Sequence, residues 1–255
     1  MHWIYLSPHF DDVALSCGGL VWEQVQAGAM VSIWTVCAGS APHGELSPFA
    51  KELHMRWKMD QDAAAQRKLE DLRSCQRLGA SYLYFTIPDC IYRRNIHTDE
   101  SLYISEESLN GPLLPADTHN ITLIGEEIKR SIQADVALVC PLSLGNHVDH
   151  QLTRLAAEGI GHELWYYQDY PYVLHGKEKL VLIEQEGWEN HCFPISPPGL
   201  VAWQDSIAYH GSQISTFWMD VLEMRQAISD YLEGDNGIHL WRKPGSISTL
   251  AFQQI

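Results

Sequence analysis

Two short apolar runs, far apart in the chain, each end in a cluster of histidine and aspartate that opens a helix-patterned stretch. The first is Trp3-Ile4-Tyr5-Leu6, the right length for a buried strand. Ser7-Pro8 interrupts it, and His9-Phe10-Asp11-Asp12 follows. Val13, Leu15, Leu20, Val21 and Val25 then recur with helical spacing until Gly28. The second run is Val136-Ala137-Leu138-Val139-Cys140. A loop from Pro141 to Asn146 leads into His147-Val148-Asp149-His150, and Leu152, Leu155 and Ala156 continue as a helix. In an open α/β sheet, strand-to-helix turns lie at the carboxyl edge of the strands, where ligands bind. Two neighbouring parallel strands would bring three histidines and three aspartates to one crevice.

Taken singly, these residues have plain structural readings. Asp11 or Asp12 could cap a helix, and acidic groups suit its positive end. His9 could be an ordinary loop residue. A helix needs only one cap, however, and here two carboxylates and an imidazole fall within four positions. Imidazole nitrogen and carboxylate oxygen are ligands that zinc accepts, and a catalytic metal site needs a base beside it.

Pro8-His9-Phe10-Asp11-Asp12 with His147-Val148-Asp149-His150 resembles the PIG-L/LmbE family of zinc-dependent N-deacetylases acting on N-acetylglucosamine-type substrates. Members usually carry Pro-His-Pro-Asp-Asp, so Phe10 replaces a proline but no ligand. Two weaker echoes extend the likeness: Arg67 and Glu70 with Leu78-Gly79, and His210-Gly211-Ser212-Gln213. The resemblance implies a Rossmann-like three-layer αβα fold with a mostly parallel sheet, as one domain over 1–255. It also implies that Arg67 and Asp89 contact substrate. Alternatives are a surface ion pair of Arg67 with Glu70 or Asp71, and a turn-forming role for Asp89. Some members place a tyrosine where this chain has Gly145.

Within that reading His9, Asp12 and His150 are the metal ligands, and three protein ligands leave a position open for water. One zinc per chain is expected, or another divalent ion in its place. Asp11 is the free carboxylate beside the metal and the general base. His147 is cast as an imidazolium stabilising the oxyanion. Asp149 is cast as the group that holds His147 in its tautomer. His210 and Gln213 are expected to be structural. The expected reaction removes an acetyl group from an N-acetylated amino sugar or glycoconjugate. The alternatives are an amidase for a larger amide conjugate and a non-catalytic sugar- or metal-binding protein.

Composition narrows the partners. The chain has 255 residues, 45% of them hydrophobic, and a formal net charge of −15. Such a surface repels phosphate backbones, so nucleic acid is excluded as a partner and a small molecule is favoured. No apolar stretch reaches membrane-spanning length, and with the first strand starting at Trp3 neither a basic leader nor an apolar signal region is expected before it. Six cysteines without a CxxC read as reduced residues of a cytoplasmic protein. A homo-oligomer is left open, and no GxGxxG supports a dinucleotide.

Strands are further expected at 31–37, 82–86 and 164–167, and helices at 12–27, at 49–78 with a break near Asp60, and at 121–133. Gly18-Gly19 suggests close packing of the first helix on the sheet. The segment 87–120 reads as an irregular loop with Arg93 and Arg94 in solvent. The tyrosines of 166–172 suit either core packing or a sugar face. After Gly176, two short strands at 179–183 and 188–195 are expected to pair antiparallel. Helices follow at 200–209 and 214–232, and the last twenty residues carry no pattern.

Overall fold

The computed structural model describes residues 1–41, 44–59, 63–133 and 135–245. The expected break near Asp60 falls at 60–62, outside them. The two apolar runs form β1 (His2–Ser7) and β4 (Val136–Pro141), hydrogen-bonded side by side and parallel, with Tyr5 opposite Val139. Both are buried almost throughout, as strands covered on two faces must be. On the far side of β1 lie β2 (Met30–Thr35) and then β3 (Ser81–Tyr84), also parallel. Beyond β4 come β5 (Leu164–Tyr167), β7 (Ile238–Arg242) and β6 (Glu189–Phe193). The seven-stranded order is β3-β2-β1-β4-β5-β7-β6, with β7 antiparallel to both neighbours. The direction of winding reverses between β1 and β4, the place where such sheets open a crevice.

Helices cover both faces. α1 (Asp12–Gln26), α3 (Ala63–Leu78) and α8 (Pro197–Ala208) pack together, and α5 (His119–Ser131) packs with α6 (Val148–Glu158). The shorter helices are α2 (Pro48–Arg56), α4 (Glu106–Leu109), α7 (Lys177–Gln185) and α9 (Gly211–Phe217). α10 (Val221–Asp235) completes the set. Among the described residues no helix is long and apolar enough to cross a membrane.

The α/β architecture agrees with expectation, while several local readings do not. Residues 179–183 are helical, within α7: Leu180 and Ile183, three apart, pack on the core while Val181 and Leu182 face solvent. That is a helical period, carried by Lys and Glu, which favour helices. The antiparallel partner of β6 is instead β7, from the stretch without pattern. The helix expected at 214–232 is divided into α9 and α10, with Asp220 capping the latter through Leu222 and Glu223 N–H. The segment 87–120 is irregular but packed. Cys90, Ile91, Tyr103 and Leu109 form a second apolar cluster with Phe49, Leu53 and Val148.

Gly18 and Gly19 face α8 rather than the sheet. A Cβ on Gly18 would lie 2.6 Å from Trp203 Cδ1, and the Trp203 indole N–H donates to the carbonyls of Ala14 and Leu15. Gly18→Leu should therefore overpack this contact and cost about 1–3 kcal/mol, the usual scale for forced extra volume in a core. Urea unfolding checks it; an unchanged midpoint would show that α8 yields freely.

Candidate metal and amide-hydrolysis site

The turn after β1 is held without using either aspartate as a cap. Ser7 Oγ accepts the N–H of Val13 at 3.2 Å and donates to the His9 carbonyl at 2.5 Å. Asp11 stands at the N-cap position of α1, yet its side chain makes no capping bond. Asp12 Oδ2 accepts the His9 backbone N–H at 2.7 Å, which locks the turn. The same oxygen lies 3.1 Å from His9 Nδ1, and Asp12 Oδ1 lies 3.2 Å from His150 Nε2. One carboxylate thus bridges both motifs. Nitrogens of His9, His147 and His150 also lie within 4.8 Å of one another.

Each bridged histidine is held from behind by another carboxylate. His9 Nε2 meets Asp149 Oδ2 at 2.9 Å, and His150 Nδ1 meets Asp169 Oδ1 at 2.6 Å. The nitrogens left facing Asp12 are His9 Nδ1 and His150 Nε2. A carboxylate behind an imidazole fixes its tautomer and raises its basicity, the arrangement that usually supports a metal-binding histidine. Burial alone would raise the pKa of Asp12, but His150 and His9 outweigh it and hold the carboxyl well below its usual range. Asp12 in turn lifts His150 to about 10 against the effect of burial. The pocket attracts positive charge at this point, and its nitrogen and oxygen donors fit zinc.

Asp149 does not hold His147 in the expected manner. Its carboxylate serves His9, the Cys90 N–H at 3.0 Å, and the Arg93 guanidinium. Its backbone N–H donates to His147 Nδ1 at 3.2 Å, so His147 carries its proton on Nε2. Burial, then the neighbouring His9, pushes the His147 imidazole down to about 3. The Asp149 N–H on Nδ1 and the burial of the ring both favour a neutral imidazole at His147, against the expected imidazolium.

Among the described residues Asp11 makes no hydrogen bond to the histidines. Its Oδ1 accepts from Arg67 Nη2 at 3.2 Å, and Arg67 Nη1 lies 3.5 Å from Asp89 Oδ2. Arg67 is buried, with its guanidinium 4.9 Å from the Trp57 ring and 5.7 Å from that of Phe10. The expected alternative partners are otherwise engaged or turned aside, Glu70 accepting from the Ser212 N–H and hydroxyl. Phe10, in place of the usual proline, thus flanks the arginine. Burial raises Asp11 and Arg67 opposes it, with a net rise. Asp89 forms the turn, one of the two readings given for it: Oδ1 accepts the Ile91 N–H, while Oδ2 faces Arg67 and, at 3.9 Å, His9 Nε2. His210 is buried among the elements around Arg67, consistent with a structural part.

The site also takes in Arg93, Asp117 and Asp169, to which the sequence assigns no role in it, and Tyr172, one of the tyrosines weighed as a sugar face. Arg93 is 5% exposed, not solvated, and pairs with Asp149 and with Asp117 at 2.9 Å. Nothing local in Arg93-Arg94 separates the two, and Arg94 makes an exposed pair with Asp99. Asp169 did carry a signal, because it follows a parallel strand as His9 and His147 do. Of the tyrosines in 166–172, Tyr166, Tyr167 and Tyr170 are core residues. Tyr172 alone meets the site, its ring edge-on to His150 with centroids 5.8 Å apart.

A family model described as PIG-L, GlcNAc-PI de-N-acetylase, matches residues 4–160. The 2'-N-acetylparomamine deacetylase of Niallia circulans is 29% identical over 206 residues, 72% of this chain and 71% of its own. That of Streptomyces fradiae is 30% identical over 191 residues, 71% of this chain and 61% of its own. The zinc-inhibited form of a teicoplanin deacetylase has a similar fold, with a TM-score of 0.80 at 24% identity over 96% of this chain and 100% of that one.

Arg93→Met should leave two buried carboxylates without their cation and cost about 3–5 kcal/mol, the range for breaking a buried pair from one side. Arg94→Met should cost about 1 kcal/mol or less, as exposed pairs do. Equal unfolding midpoints for the two variants would refute the difference.

Proposed function

The chain belongs to the PIG-L family, and from that premise we propose that it is a zinc-dependent deacetylase that hydrolyses the N-acetyl group of an amino sugar or its glycoside. The carrying observation is the divergence of two adjacent carboxylates: Asp12 spans His9 and His150, while Asp11 lies beside them, uncommitted to either and paired with Arg67. Binding a metal calls on Asp12 alone of the two, which leaves Asp11, held by Arg67, for the task of a base.

His9 Nδ1, Asp12 and His150 Nε2 would hold one zinc ion per chain. Bound there, it would polarise the amide carbonyl and acidify a water. Asp11 accepts the proton of the attacking water, and burial makes this carboxylate a better base than an exposed one. The His147 Nε2–H donates to the carbonyl oxygen as charge develops on it. Neutral imidazole suffices, because a fixed donor needs no net charge. As the C–N bond breaks, the proton held by Asp11 passes to the amine nitrogen, releasing acetate and the free amine. Arg67 and Asp89 sit on the Asp11 side, where an arginine and a carboxylate can bind sugar hydroxyls.

The substrate proposed is an N-acetylated amino sugar bearing further free amines. The paromamine deacetylases named above support it, as does the net charge of −15, which concentrates cationic substrates near the surface. The first test is acetate release from 2'-N-acetylparomamine and from N-acetylglucosamine by zinc-loaded protein; no release from either defeats the reading. For the cationic substrate, kcat/KM should fall as the Debye length shrinks from about 30 Å at 0.01 M salt to about 8 Å at 0.15 M. For neutral N-acetylglucosamine it should hold steady. A parallel response of both substrates counts against steering.

Metal content and turnover measured on the same preparations separate the two aspartates. Asp11→Asn should keep zinc and lose about 10²–10⁴ in kcat, the scale of a general base. Asp12→Asn should lose zinc on desalting. Full activity of zinc-loaded Asp11→Asn protein rules out the mechanism.

A further inference from the structure

We propose that the Tyr172 hydroxyl is a second oxyanion donor to the acyl oxygen of the substrate, and that Gly145 is glycine to admit its ring. The inference rests on the deacetylase reading above and adds a residue to it. It begins with a fit between two loops. A Cβ built on Gly145 would overlap Cδ1 and Cγ of Tyr172, so the ring occupies the space that a side chain at 145 would need. The φ of Gly145 is not among the positive values of the backbone, so conformation does not require glycine there. Clearance for the ring does.

The ring is held where it can act. It stands edge-on to His150, and the segment that carries it is tied to the same histidine. Asp169, three residues earlier, bonds His150 Nδ1 with one carboxylate oxygen and the Leu144 N–H, at 3.0 Å, with the other. The Asp169 carbonyl accepts the Val173 N–H at 2.9 Å, closing the turn on which Tyr172 sits. One short stretch after β5 therefore grips His150 from behind with Asp169 and covers its exposed edge with Tyr172. A shift of one moves the other.

The hydroxyl is unspent. Tyr166, Tyr167 and Tyr231 each give theirs to a protein acceptor, whereas among the described residues that of Tyr172 has no hydrogen-bond partner. A phenol beside a site that builds negative charge on oxygen, with a free proton and a fixed ring, is suited to donate to that oxygen. With His147 Nε2–H it makes a pair of donors from two different strand ends.

Tyr172→Phe keeps the ring, its packing on Gly145 and its contact with His150, and removes only the donor. In zinc-loaded protein it should lose about 10²-fold in kcat, the scale of one missing oxyanion donor, with KM and zinc content little changed. A kcat within about twofold of wild type overturns the proposal, because packing alone would survive the change. A second reading is independent of turnover. Methylphosphonate, a tetrahedral anion with an acetyl-sized methyl group, is titrated calorimetrically into both zinc-loaded proteins. Binding should weaken about tenfold or more in Tyr172→Phe; equal binding overturns the donor assignment. If the wild type releases no acetate but its methylphosphonate binding still depends on Tyr172, the deacetylase reading fails and the donor placement stands.

Discussion

The carboxylate of Asp149 is fully buried, and a charge in that position is tolerated only when every side of it is answered. Arg93, the Cys90 N–H and the His9 imidazole answer it. Each answer constrains a different part of the chain. His9 fixes the turn after β1, Cys90 fixes the start of the long segment after β3, and Arg93 hands the charge on to Asp117 near the start of α5. The site is thus the centre of a charge-balanced network rather than a set of groups on a surface. Ordinary loop mobility would be incompatible with the distances found among Asp12, His9 and His150.

The sheet supplies what the network cannot. Parallel strands end at the same edge, so β1, β4 and β5 deliver His9, His150 and Asp169 to one level. Reversal of the winding direction between β1 and β4 puts the site where such sheets open a crevice. Catalytic groups placed just past strand ends gain precision from the strands while keeping access to solvent.

The convergence of the two motifs was legible in the sequence because each cluster directly follows an unbroken apolar run and opens a helical one. Two strands so marked have few ways to pair. Asp169 follows β5 in the same way but lacks a histidine companion, so its tyrosine neighbours drew the attention. Arg93 was not legible at all. A charged residue in a loop reads as solvated, and its partners, Asp149 and Asp117, stand 56 and 24 positions away. The run Leu180 to Ile183 was ambiguous because four consecutive apolar residues fit a strand and a helix equally, and only burial of Leu180 and Ile183 decides. β7 is short and ends beside lysine and proline, and its pairing with β5 and β6 is a tertiary fact with no local trace.

The hydrogen bonding of β1 also sets an order of events during synthesis. One of its edges pairs with β2, which is complete within the first 35 residues, but the other waits for β4, a hundred residues later. A nascent chain that has reached α5 holds a largely apolar central strand with one open edge, a template for pairing with any extended segment it meets. Emergence of residues 136–141 closes that edge, and α6 then carries His150 to Asp12 within the next few residues. Any stall or premature stop before α6 therefore leaves a species that is prone to associate, and closing the second edge of β1 and bringing His150 to Asp12 are nearly one step.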